Sequence, residues 1–112
     1  MEVSFASRKM QKTCSSKKEM RRVWGAVLTK KLQQRLMELK AAGTLEDISR
    51  LPPARCHELV GDRKGQLSVD VTHPHRLIFA PDHDPVPRKP DGGLDWTRVT
   101  KVVVLEVVDT HG

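Results

Sequence analysis

The chain contains no tyrosine, and aromatic residues make up only 4% of it: two Trp and two Phe. Few rings are therefore available to stack on an unpaired base. Cysteine is also scarce. Cys14 and Cys56 make no disulfide framework, and their spacing matches no zinc motif. A reduced, cytoplasmic protein is the expectation from that usage. No stretch approaches the roughly 18–20 apolar residues of a membrane span, so no membrane partner is expected. Residues 1–18 are charged and have no apolar h-region, which argues against a secretory signal. A phosphate-binding Gly-rich loop, a nucleophile elbow and an H-E-x-x-H pair are all missing. Those absences remove the commonest nucleotide-binding, hydrolase and zinc-protease readings.

What is present is 112 residues, a length that fits one domain over 1–112. Hydrophobic residues are 38% and charged residues 30%, enough for a packed core and against wholesale disorder. The 20 Lys and Arg exceed the 14 Asp and Glu, for a formal charge of +6. That excess is uneven: residues 1–64 carry 15 basic and 7 acidic residues, net +8, and residues 65–112 carry 5 and 7, net −2. A polyanion is the natural partner for the basic half, although a solvated helix face needs Lys and Arg too.

The hydrophobic period changes along the chain. Val3 and Phe5 alternate with polar neighbours, which predicts a short strand near residues 2–6. Residues 7–14 read as a short helix. Ser16 followed by Glu19 is a capping box. Met20, Trp24, Leu28, Leu32, Leu36 and Leu39 then mark one face of a long helix reaching Ala42. Gly25, inside it, is a place for a bend or a close packing contact. Gly43 suits the helix end, Thr44 with Asp47 opens a short turn, and Pro52-Pro53 closes it.

Beyond this point short β-like runs follow, at residues 55–60, 66–72, 75–80 and 100–108. Residues 61–65 form a hairpin loop, and His73-Pro74 a tight turn. The proline-rich segment 81–98, with Gly92-Gly93, reads as a long loop that is functional or disordered. Val102-Val103-Val104-Leu105 predicts a central strand covered on both faces. The expected class is α+β, with the N-terminal helices packed on one face of an antiparallel sheet.

Histidine, arginine and aspartate supply the candidate chemistry. Cys56, His57, His73 and His75 could be grouped as metal ligands, but neighbouring strand residues face opposite ways, and no metal site is expected. Arg76 is a lone cation among strand residues that otherwise look core-forming. It is either a partner for a carboxylate or a clamp for a phosphate, since guanidinium holds two phosphate oxygens at once. Asp109 and His111 lie two apart and share a face if the last strand continues. Nearby anions would favour imidazolium at His111, a group able to move protons in phosphodiester cleavage. A frayed, solvated terminus is the plain alternative.

His57-Glu58-Leu59-Val60-Gly61-Asp62-Arg63-Lys64-Gly65, Ser68-Val69-x-Val71, Arg76-Leu77-Ile78-Phe79 and Asp109-Thr110-His111 together resemble the HigB branch of the RelE/ParE toxin superfamily. The resemblance follows the order of elements over the whole chain and is most specific at residues 57–79 and 109–112. It implies an antiparallel sheet packed on helices. It also implies a bacterial toxin of a type II toxin–antitoxin pair, a metal-independent and cofactor-free endoribonuclease that cuts mRNA on the ribosome and so inhibits translation. The implied partners are the ribosome, mRNA and a cognate antitoxin with a helix-turn-helix domain. By the same resemblance His57, Arg76, Asp109 and His111 are the catalytic set, with Arg76 on the scissile phosphate. Arg63, Lys64, Arg21, Arg22, Lys30 and Lys31 are the expected contacts to RNA backbone.

Four positions depart from the family pattern. Val60 stands where a basic residue is common, Leu67 and His75 stand where aromatics are common, and Thr110 replaces the motif's tyrosine. Threonine neither stacks on a base nor acts as an acid at neutral pH, which points to weakened or altered cleavage. The alternatives are an attenuated module of the same fold that binds an antitoxin without cutting RNA, a ParE-like topoisomerase poison, and a plain basic nucleic-acid binder.

Overall fold

The structure, a computed structural model, describes residues 1–109. Its order is β1 (Glu2–Phe5), α1 (Arg8–Cys14), α2 (Lys17–Ala41), β2 (His57–Glu58), β3 (Leu67–Asp70), β4 (His75–Pro81) and β5 (Lys101–Asp109), with short 3-10 turns between. The five strands form one sheet in the order β1-β5-β4-β3-β2. The expected α+β class holds. Three neighbouring pairs are antiparallel, and β1 runs parallel to β5, with Val3 opposite Val102 and Phe5 opposite Val104. Among the described residues no helix is long and apolar enough to cross a membrane.

The helices form where their caps allow. Ser7 accepts the backbone N–H of Met10 and starts α1. The Ser16 hydroxyl accepts the N–H of Glu19 at 3.2 Å and starts α2. Only half of the expected capping box is present. The Glu19 carboxylate turns to Arg22 at 2.8 Å, while the Ser16 N–H donates to the Thr13 carbonyl. α2 is broken at Gly25, whose φ of 80° and ψ of 167° lie outside the helical region. Past the helix, the Asp47 carboxylate accepts the N–H groups of Gly43 and Thr44 and holds the next turn.

The expected stripe packs as read: Met20, Leu28, Leu32, Leu36 and Leu39 are buried and Trp24 is partly so. They meet Leu67, Val69, Leu77, Phe79, Val102 and Val104 from one face of the sheet. Each such side chain, once buried, contributes roughly 1.5–3 kcal/mol. β5 does lie between two strands, but its other face is less well covered, with Val103, Leu105 and Val108 only half-buried. Segment 81–98 is neither free nor structureless. Arg88 bridges Leu94, and Leu94 and Trp96 enter the core. The Trp96 indole N–H donates to Glu58 at 3.1 Å, and the Arg50 guanidinium stacks 3.8 Å over its ring.

Candidate functional site

Strand register decides which side chains share a surface. His57 pairs with Ser68, Ser68 with Ile78 and Ile78 with Glu106, while Asp70 pairs with Arg76 and Arg76 with Val108. Side chains alternate along a strand, so His57, Ser68, Asp70, Arg76, Ile78 and Glu106 lie on one face. Leu67, Val69, Leu77 and Phe79 lie on the other and meet the helices. The first set forms the outer face of the sheet. His57 and Arg76 are thus two strands apart and two residues out of line, about 10 Å across and about 7 Å along.

The outer face has a defined local geometry around His57. Its Nδ1 lies 2.9 Å from the carbonyl oxygen of Arg55. A carbonyl can only accept, so Nδ1 carries the proton of that bond. Beside His57 in register, Ser68 is fully buried, and its Oγ has no hydrogen-bond partner among the described residues.

Around Arg76 the sequence reading misses three residues. Asp70 faces two guanidinium groups, Arg55 Nε at 3.0 Å and Arg76 Nε at 3.3 Å. The latter is an ion-pair contact without hydrogen-bond alignment, since Asp70 Oδ1 has no hydrogen-bond partner. Asp70 is itself braced: its N–H donates to the Ala54 carbonyl at 2.7 Å, and its own carbonyl accepts Arg35 Nε at 2.7 Å. Arg35 is buried in α2, and its Nη1 reaches Glu38 at 3.1 Å. One signal was available for Arg35: it falls seven residues after Leu28 and three after Leu32, on the apolar stripe where a charge needs a reason. Nothing comparable marks Arg55 or Asp70, whose meeting depends on strand pairing.

The remaining candidates separate. Asp109 pairs with His75, and the pleat puts it on the face of Leu77 and not on that of Arg76. Thr110 and His111 lie outside the described residues. Arg63 is tied to the outer face, donating to Gln66 at 3.0 Å and lying 3.4 Å from Glu106. Lys64, next to it, is exposed. Arg21, Arg22 and Lys30 are exposed on α2, and Lys31 is half-buried there with Gln34 at 3.4 Å. Because α2 packs against the core face, these helix cations and the His57–Arg76 set are separated by the sheet.

In comparisons with known proteins, no family model and no curated protein matches the chain.

Proposed function

We propose that the chain is a type II toxin of the HigB branch of the RelE/ParE superfamily, a cytoplasmic mRNA endoribonuclease acting on the ribosome. The observation that carries this reading is the shared face of His57 and Arg76, with the His57 ring oriented through Nδ1. In the proposed reaction the RNA 2′-hydroxyl gives its proton to Nε2 of His57 and attacks the adjacent phosphorus. The new O–P bond forms as the P–O5′ bond breaks, and the leaving oxygen takes a proton from His111. Arg76 offsets the charge gained by the phosphoryl oxygens. Asp109, on the opposite face of the pleat from Arg76, takes no part in this step. General acid–base groups of this kind are worth typically ~10²–10⁴-fold each.

Arg63 and Lys64 contact RNA backbone on the same side of the sheet, and the α2 cations serve another polyanionic surface such as the ribosome. The antitoxin with its helix-turn-helix domain is the proposed inhibitor. Expression of the chain should arrest translation and yield cuts in translated mRNA. The double substitution Arg76→Ala with His111→Ala should abolish the cuts and restore growth. Undiminished arrest in that folded double variant refutes the site.

A second reading is favoured by one geometric observation, that Asp109 and Arg76 fall on opposite faces of the pleat. It is a non-cleaving module of the same fold that captures an antitoxin, in keeping with Thr110 in place of tyrosine. It requires mRNA on ribosomes to stay intact with the wild-type chain present.

A further inference from the structure

Arg55 is, among the described residues, the one non-glycine residue in the left-handed region, at φ 49°. An L-residue other than Asn or Asp adopts that conformation at a cost, and such strain gathers at functional sites. Here it has two visible results. It aims the Arg55 side chain at Asp70, and it presents the Arg55 carbonyl to His57 Nδ1. The ion pair alone is a poor return for the strain, because Arg55 is about half exposed and surface pairs contribute little.

Arg55, Asp70, Arg76, His73, His75 and Pro53 are among the residues around a cleft of about 310 Å³. That is room for on the order of ten waters, ample for a phosphodiester group. Two guanidiniums and one carboxylate leave the cleft net positive. Asp70 is anchored through both its backbone groups, whereas no hydrogen bond engages the Arg76 guanidinium among the described residues. The nitrogen fork of Arg76 is therefore free to take two phosphate oxygens.

We propose that Arg55 is the second half of this anion site: its guanidinium and that of Arg76 take one RNA phosphate together, and its carbonyl positions the His57 ring. Asp70 holds the two arginines in place before RNA arrives. The substrate class is single-stranded RNA, bound through its backbone, and the proposal rests on the RNA reading above.

The test measures binding of a fluorescein-labelled single-stranded RNA of about 12 nucleotides to the full chain, between about 50 and 200 mM salt. Arg55→Asn keeps a residue that tolerates the left-handed conformation. It is expected to weaken binding about tenfold and to lower the salt slope by about one, with no loss of thermal stability. Arg55→Lys should keep the wild-type slope at intermediate affinity, because the charge stays and the fork is lost. Lys89→Gln, a matched loss of charge in segment 81–98, should change neither. Arg55→Gly, which relieves the strain altogether, replaces Arg55→Asn if that variant fails to fold.

Wild-type affinity and slope in a folded Arg55 variant overturn the proposal, and so does a wild-type chain that binds no RNA. Weakened binding in Arg55→Asn beside intact mRNA on ribosomes with the wild type keeps the proposal and removes the nuclease reading. Cut mRNA with unchanged binding in Arg55→Asn does the reverse.

Discussion

Replacing Gly25 by alanine separates two descriptions of α2 by the sign of one number. In a continuous helix, alanine is better than glycine by about 1 kcal/mol, so the variant would be stabilised. The structure places Gly25 at φ 80° and ψ 167°, a region almost reserved for glycine. Forcing an L-residue there costs of order 1–3 kcal/mol. Apart from the adjoining chain, nothing lies within 4 Å of the position a Cβ would take, so tertiary crowding adds nothing and the penalty is that of the local backbone. For a chain of 112 residues each kcal/mol moves the melting temperature by roughly 3–6 °C. Gly25→Ala should therefore melt roughly 3–18 °C below wild type, measured by far-ultraviolet circular dichroism. A higher melting temperature with added helical signal would show a straight helix and refute the kink. The kink sets the direction of the segment that carries Arg21 and Arg22.

Other expectations concern the cysteines and segment 81–98. Burial pushes the Cys56 thiol up to about 12 and the half-buried Cys14 up to about 11. In native protein at pH 8 iodoacetamide should modify Cys14 slowly and Cys56 only after unfolding; rapid native labelling of Cys56, followed by mass spectrometry, would contradict the packing. The Asp95 carboxyl is held below the usual range by the Thr97 hydroxyl and then by Arg98, both of which donate to it. A folded value below the unfolded one gives stabilisation that is present above about pH 4 and is lost as pH falls further. The Thr97 backbone N–H, which donates to Asp95, should show a resonance shift over that acid range in wild type and lose it in Asp95→Asn. An equal shift in both would refute this role for Asp95.

Features whose signal lies within a few residues were legible from the chain alone. Ser16 caps α2 because a hydroxyl three residues from an N–H can reach it in any context. The Leu28–Leu39 stripe follows from the helical repeat, and the strand at 100–108 follows from β-branched content. His57 and Arg76 could be singled out by residue type and by a resemblance. The β1–β5 parallel pair was not legible, because a short alternating segment carries no mark of its partner at the other end of the chain. The prolines of segment 81–98 predict a loop, yet Leu94 and Trp96 are core residues that pack without any periodicity.

The sequence by itself determined the element types, the basic first half and the absence of a tyrosine at position 110, since each is local or compositional. Only the tertiary structure decided which charges act together. Register put Arg76 beside Asp70, a left-handed residue brought Arg55 to the same carboxylate, and helix packing on the core face moved the α2 cations to the other side of the sheet. Pairing across strands is a contact between residues far apart in sequence. It is settled by the burial of the whole sheet and not by the residues that it happens to bring together.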